Sequence, residues 1–327
     1  MSVMNARIIA VALDEVSPPA SAYRSMVLAQ ELASRAGATL LVVRIREESP
    51  RPQCERARLP DVIRTAEQAF LGKIIVRHVE VSQQSLTSTP PGSPNGSQYS
   101  AGEAFVATAA GFGAGLLVVA MTAEREPLDG LVGGVVGAAE VPTVVVPAGV
   151  DHLSSWPFHV VVALDSVPRT GRVTEQIREL YGWFQTSLSL LHVVHPGGGR
   201  LDGVSALAAD RAAHMLQRSA TCLGACGVDP SRIHVVVRTG DASKVIVDHM
   251  RREHATLGVL PVVAVDPGHR RHHGVTADVL SASHVPIVLL HAADDRGASY
   301  VIDRNQVRGH TIEDRLRVPN NRASRTA

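Results

Sequence analysis

A basic loop in the last third of the chain combines the side chains that proteins use to bind anions. It runs from Asp266 to Gly274 and reads Asp-Pro-Gly-His-Arg-Arg-His-His-Gly. Arg270 and Arg271 could hold an anionic group through charged hydrogen bonds, and the histidines add positive charge when they are protonated. A metal site is disfavoured, because neighbouring histidines in a loop rarely converge on one ion without a further ligand. Two interpretations remain open, an anion- or nucleotide-binding loop and a solvated basic connection.

An aspartate ends each of two similar apolar segments. The first segment reads Ile-Ile-Ala-Val-Ala-Leu-Asp and ends at Asp14, and the second reads His-Val-Val-Val-Ala-Leu-Asp and ends at Asp165. In open α/β sheets, ligands bind at the carboxyl ends of the strands, where such a carboxylate would contact them. An aspartate there can instead cap the helix that follows. Both roles stay open for both residues.

Other motifs do not support catalysis. The glycine-rich run 111–115 precedes a predicted strand, whereas a dinucleotide fingerprint follows one. The glycines at 197–199 lack a following Lys-Ser/Thr, and no Gly-x-Ser-x-Gly nucleophile elbow occurs. The three cysteines are too few and too scattered for a disulfide framework or a zinc site. The sequence therefore predicts no catalytic residue and no metal site.

The elements that position these residues occur twice along the chain. Each half opens with the apolar segment ending in aspartate and closes with a Val-Pro step into another apolar segment, at Pro142 and at Pro286. Segments of strand character alternate with amphipathic helices, which predicts parallel sheets covered on both faces. Two tandem five-stranded parallel-sheet (Rossmann-like) α/β units are therefore expected. The predicted strands are 7–13, 38–45, 73–81, 116–121 and 142–147, then 159–164, 187–194, 233–238, 256–265 and 285–290.

Composition limits the class of protein. Hydrophobic residues make up 45% of the 327 residues and aromatic residues only 3%, so the cores consist mainly of Val, Leu, Ile and Ala. A formal net charge of +1 favours neither nucleic acid nor an acidic membrane as a partner. We expect a soluble, cytoplasmic protein, because neither a membrane-spanning run nor a signal peptide is recognisable.

The order of these motifs, found twice, resembles that of a tandem universal stress protein. A strand ends in His192-Val193, the step Gly240-Asp241 leads into a helix, and Val-Pro introduces each last strand. The resemblance covers about residues 6–148 and 158–292. It implies two units of one fold that form an intrachain pseudo-dimer.

The phosphate loop of the nucleotide-binding branch of that family is degraded in both units. The family pattern is Gly-x2-Gly-x9-Gly-Ser/Thr, and counting back from the Val-Pro steps places its closing pair at Asp129-Gly130 and at His273-Gly274. The first loop lacks the leading glycines and carries three carboxylates, which repel phosphate. We therefore expect no ATP binding in the first unit, where Asp14, Asp129 and Gly130 are degenerate counterparts of a site.

Any ligand is expected in the second unit. The resemblance implies AMP, ATP or another phosphate compound, with the phosphate at the start of the helix after the basic loop and the base and sugar at the strand ends. The Gly-Asp step could instead form only a turn. The predicted ligand-binding residues are Asp165, Val193, Gly240, Arg270, Arg271, His273, Gly274 and Val275.

These observations predict a non-catalytic regulatory or partner-binding module that has largely lost the ATP-binding loop. The alternatives are a nucleotide or phosphate sensor that uses only the second unit and, less favoured, an enzyme of a related α/β superfamily. The expected partners are a protein and, through homodimerisation, a second copy of the chain. The predicted domains are 1–148 and 158–293, joined by a linker at 149–157 and followed by a polar, Arg-rich tail at 294–327.

Overall fold

The computed structural model describes the elements of both units. It covers residues 7–14, 19–47, 72–81, 100–122, 127–150, 159–165, 170–195, 202–263 and 274–292. The tail at 294–327 lies outside these residues, as does most of the linker. Their predicted boundaries therefore stay predictions.

The first unit alternates strands with helices, as expected from its sequence. Gly37, with φ of +59°, follows the first helix in the left-handed conformation that glycine adopts readily. The described elements are β1 (Ile8–Asp14), α1 (Pro19–Ala36), β2 (Thr39–Glu47), β3 (Ile74–Val81), α2 (Ala101–Gly111), β4 (Leu116–Ala120), α3 (Gly130–Ala138) and β5 (Thr143–Val146).

The second unit repeats this order. A short 3-10 turn, Pro230–Arg232, precedes its third strand. The described elements are β6 (His159–Ala163), α4 (Thr170–Phe184), β7 (Ser187–Val194), α5 (Asp202–Ala225), β8 (Ile233–Thr239), α6 (Ala242–Arg252), β9 (Leu257–Val263), α7 (Val275–Ala282) and β10 (Ile287–Ala292).

The ten strands form one sheet in the order β3-β2-β1-β4-β5-β10-β9-β6-β7-β8. Among the described strands, pairing is parallel within each unit and antiparallel only between β5 and β10, where the units meet. The two expected five-stranded parallel sheets are confirmed, and so is the meeting of the two final strands at the junction.

A pseudo-twofold axis passes through this junction. Val144 pairs with Val288, its own counterpart in the repeat, and the flanking pairs are Thr143 with Leu289 and Val145 with Ile287. Such reciprocal pairing is the mark of an isologous interface, here built within one chain. Because each last strand covers the edge of the other, neither is left open to pair with another chain.

Both final strands begin immediately after a proline. The prolyl nitrogen lacks a hydrogen and cannot donate to the ladder, but the carbonyl still accepts. Leu117 N donates to Pro142 O over 3.0 Å, and Gly258 N donates to Pro286 O over 3.0 Å. This explains why the observed last strand, Ile287–Ala292, starts two residues later than predicted.

Helices cover both faces of the sheet. One core packs β-strand side chains against α1, α4 and α5, and the other packs them against α2, α3, α6 and α7. The units also touch beyond the strands, since the Arg7 guanidinium lies 5.5 Å from the centre of the Trp183 ring. Arg7 donates to Gly182 O over 3.4 Å as well. Among the described residues, no helix is both long and apolar enough to cross a membrane.

Candidate functional site

The carboxyl edge of the second unit brings three of the predicted ligand residues to one place. Asp165 follows the end of β6, Val193 is the penultimate residue of β7, and Gly240 follows the end of β8. These strands are parallel neighbours, so their carboxyl ends lie side by side. Asp165 is exposed, and Val193 packs with the core beneath α6 and α7.

A buried histidine supports this edge. His192 lies 9% exposed on β7, and its Nδ1 is 2.7 Å from Leu164 O, the residue before Asp165. A carbonyl oxygen only accepts, so Nδ1 carries the hydrogen of this bond. Leu164 N also donates to Leu191 O over 2.8 Å. The chain segment leading to Asp165 is thus fixed to β7 by two hydrogen bonds.

The step from β8 into α6 is a turn that ends in a helix cap. Gly240 has φ of +150°, which favours glycine, and its N–H donates to Val194 O over 3.1 Å. Asp241 is the N-cap residue of α6 and accepts from Lys244 N over 3.1 Å and from Ser243 Oγ over 2.8 Å. These two hydrogen bonds hold the pKa of Asp241 below its usual value.

Replacing Asp241 by alanine is expected to lower the Tm of the protein at neutral pH, because the cap acceptor of α6 is lost. The folded-state pKa is lowered, so this stabilisation is present above the usual pKa of 3.8 and is lost as pH falls through the folded value. Melting curves between pH 3 and pH 7 test this. Asp248→Ala, which removes an exposed carboxylate of the same helix 3.9 Å from Arg251, is the control and should change little. Equal Tm values for the two variants would contradict the cap.

The predicted phosphate end of the site is described only in part. Gly274 is the N-cap residue of α7 and makes no side-chain cap hydrogen bond, and Val275 opens the helix with 42% of its surface exposed. Arg270, Arg271 and His273 lie outside the described residues. The proposed anion contacts of these three therefore stay predictions.

The corresponding edge of the first unit is built differently. Asp14 is the last residue of β1, pairs with Ile45 and is 9% exposed, whereas Asp165 is exposed. Asp129 is the N-cap residue of α3 but makes no side-chain cap hydrogen bond, and Gly130 follows with φ of +60°. The N-cap residue of α3 therefore carries a carboxylate, whereas Gly274, the N-cap residue of α7, has no side chain.

Glycines let α2 and α3 touch backbone to backbone at this edge of the first unit. A Cβ atom on Gly102 would lie 2.4 Å from Val135 N and 2.6 Å from Leu131 O. A Cβ atom on Gly134 would lie 2.5 Å from Ser100 Oγ. A capping box satisfies two N–H groups at the start of α2, because Ser100 N donates to Glu103 Oε2 over 2.7 Å and Glu103 N donates to Ser100 Oγ over 3.2 Å.

The second unit has side chains at these crossing positions. By the match of the C-cap residues, Phe112 with Glu253 and Ala139 with Ser283, Ser243 corresponds to Gly102 and Asp278 to Gly134. Side chains at the crossing prevent the backbone approach seen between α2 and α3. The two units therefore differ in how closely the helices at their carboxyl edges approach each other.

A metal centre is not found among the described residues, where no three His, Cys, Asp or Glu side chains are arranged to hold an ion. Sequence reasoning missed two features of the edge. The role of His192 as a support needs the tertiary neighbour Leu164, 28 positions away. The pair Gly133-Gly134 in α3 was a sequence sign of a close helix contact. Only the fold shows that Gly102 of α2 lies against this part of α3.

Comparison with known proteins agrees with this architecture. Residues 158–291 match the model of the Universal stress protein family. Comparison with curated proteins finds no match.

Solved structures resemble the fold of most of the chain. A universal stress protein from Archaeoglobus fulgidus DSM 4304 superposes with a TM-score of 0.52 at 13% identity, covering 88% of this chain and 97% of that one. A functionally unknown protein from Pseudomonas aeruginosa PAO1 superposes with a TM-score of 0.51 at 14% identity, covering 88% and 93%. At these identities the likeness establishes the fold and leaves the ligand to be argued from the residues.

Proposed function

We propose that the chain is a non-catalytic regulatory or partner-binding module in which the first unit has lost nucleotide binding. The observation that carries this proposal is the closed carboxyl edge of the first unit. There the Gly102–Gly134 crossing brings α2 onto α3, and Asp129 places a carboxylate at the helix start. A phosphate group at the start of α3 would meet the like charge of this carboxylate.

In this proposal the chain acts as two units, 1–148 and 158–293, joined at 149–157. The pairing of β5 with β10 occupies inside one chain the surface by which two separate units would associate. The two units are therefore held at a fixed stoichiometry, which suits a module that presents one composite surface to a protein partner.

Native mass spectrometry of freshly purified protein tests the proposal. A chain that carries no small molecule, and that turns over no member of a metabolite panel, is the expected result. Bound AMP or ATP would favour the sensor described next, and turnover of a metabolite would favour an enzyme of a related α/β superfamily. A species of twice the chain mass would reveal a homodimer.

A nucleotide or phosphate sensor that uses only the second unit is the second candidate. The observation that favours it is the open start of α7, where Gly274 adds no carboxylate and the exposed Val275 follows. Backbone N–H groups at a helix start favour negative charge, and the basic loop precedes them in sequence. Asp165, Val193 and Gly240 would then contact the base and sugar.

If this sensor exists, replacing both Arg270 and Arg271 by alanine should weaken the binding of ATP or AMP about tenfold or more, because charged hydrogen bonds contribute about 1.5–3 kcal/mol each. Isothermal titration calorimetry on the full chain measures the change. The charge-matched control is Arg211→Ala with Arg218→Ala, which removes two exposed arginines of α5 and should leave affinity unchanged. Unchanged affinity in the Arg270/Arg271 variant would contradict the assignment of the loop.

A further inference from the structure

A cluster of titratable side chains lies beneath the C-terminal half of α6, at the end of the helix opposite Asp241. His159 opens β6, Ser189 lies on β7 and His234 lies on β8. Ser189 pairs in register with both Val161 and His234, so these side chains share the face of the sheet that α6 covers. His249 reaches the same region from the helix.

The first unit has no titratable group at the corresponding positions. The equivalence of the two units here rests on matched hydrogen bonds, Gly115 N to Ile8 O and Thr256 N to His159 O, each 2.9 Å. It also rests on matched left-handed residues, Gly113 at φ of +74° and His254 at +49°. By this match and the strand registers, Ile8, Leu41, Ile75 and Thr108 stand where the second unit has His159, Ser189, His234 and His249.

Two of these histidines, His159 and His249, lie at the interface between α6 and the sheet. His159 Nε2 lies 3.0 Å from Ser189 Oγ, and His249 is only 3% exposed. His249 Nε2 is buried and has no hydrogen-bond partner among the residues that the structure describes. A proton added to this atom would place a charge where none of these residues offers an acceptor.

We propose that protonation of His159 and His249 loosens α6 from the sheet, so that the second unit carries an acid-sensitive helix anchor that the first unit lacks. Two imidazolium groups would then face each other beneath one helix. Helix α2 provides the internal comparison, because Thr108 and Ile8 stand at the equivalent positions and do not titrate.

Burial and nearby charged groups together set the pKa of His159 and the pKa of His249. Burial lowers the pKa of both histidines most, and Glu253 at the end of α6 acts in the opposite direction. The pKa of His159 is lowered further by His234. The pKa of His249 is lowered further by Arg238, His159 and Arg252. On the neighbouring α7 side stand Asp278 and, after the helix, His284, whose pKa is also lowered by burial.

The direction of the pH dependence follows from these lowered values. A histidine whose folded pKa lies below the usual 6.5 binds more protons in the unfolded state. The stabilisation is therefore fully present above about pH 6.5 and is lost as pH falls below it. Loosening of α6 also frees its N-terminal turn at Gly240 and Asp241, and any effect on a ligand there rests on the sensor candidate above.

Hydrogen exchange of the full chain, read by mass spectrometry as protection factors corrected for the intrinsic rate at each pH, tests the proposal. Between pH 7.5 and pH 5.5 we expect protection of α6 peptides to fall about fivefold or more relative to α2 peptides. The variant His159→Ile/Ser189→Leu/His249→Thr, which installs the first-unit residues, should lose this difference. His214→Gln, an exposed histidine of α5, is the control and should keep it.

Two results would overturn the proposal: an equal loss of protection in α2 and α6, or an unchanged loss in the triple variant. If the triple variant does not fold, NMR titration of the wild-type histidine ring protons decides. Midpoints of His159 and His249 below that of His214 support the anchor, and midpoints equal to that of His214 refute it.

Discussion

Replacing Gly102 by alanine is expected to lower the free energy of unfolding of the first unit by about 3 kcal/mol or more. The added Cβ atom would lie 2.4 Å from Val135 N, 2.5 Å from Gly134 C and 2.6 Å from Leu131 O. All three are backbone atoms of α3, so no side-chain rotation can relieve the overlap and the two helices must separate. Urea unfolding followed by circular dichroism measures the loss.

Gly137→Ala is the matched control for this prediction. Gly137 is an exposed residue of α3, and a Cβ atom there would meet nothing within 4 Å. Alanine restricts the unfolded chain, so this variant should be unchanged or more stable by about 0.5–1 kcal/mol. Similar stability of the Gly102 and Gly137 variants would mean that α2 and α3 do not cross as described.

Replacing Val288 by aspartate is expected to remove about 4 kcal/mol or more of stability and to disrupt the junction of the two units. Val288 is fully buried and pairs with Val144 at the centre of the pseudo-twofold axis. The carboxylate would enter a core of Val and Leu side chains. Because the pairing is reciprocal, Val144→Asp should have a similar effect.

Leu207→Asp controls for the introduction of a charge. Leu207 is 52% exposed on α5, so its replacement should change stability by no more than about 1 kcal/mol. Trp183 fluorescence reports on the junction as well, since Arg7 and Gly115 of the first unit lie against the ring. A Val288→Asp variant as stable as the Leu207→Asp variant would show that β5 and β10 are not paired in solution.

The two units share one fold, so equivalent positions in them can be compared directly. The carboxyl edge of the first unit is closed by glycines, whereas the second unit places Ser243 and Asp278 at the crossing. The side chains beneath α2 are apolar, whereas those beneath α6 include titratable histidines. Since the scaffold is shared, installing the residues of one unit at these positions in the other tests their effect on binding or pH response.

Local pattern predicted the elements closely. The strand at 187–194 was predicted at the bounds that the structure has, because alternating apolar residues between turn-forming residues leave little freedom. Two tandem α/β units, and the meeting of their last strands, followed from the repeat itself. Boundaries shifted by up to two residues where proline removed a donor, as at Pro286.

Chain order alone could not predict which side chains meet across the sheet. Asp165, Val193 and Gly240 were predicted at one edge because parallel strands share their carboxyl ends, and the structure places them there. Whether they bind a ligand stays a prediction. The supporting bond from His192 to Leu164 O and the pairing of His159 with Ser189 link residues 28 and 30 positions apart.

The sequence thus determined the fold of the units and its repetition, because periodicity and repetition are local properties of a chain; the edge at which a ligand would bind stays a prediction. The closeness of α2 to α3 and the burial of His249 were decided only by tertiary packing. The sequence around a glycine or a histidine is the same whether the residue faces water or packs against the backbone of another segment. Its consequence appears only when another segment, distant in sequence, is folded against it.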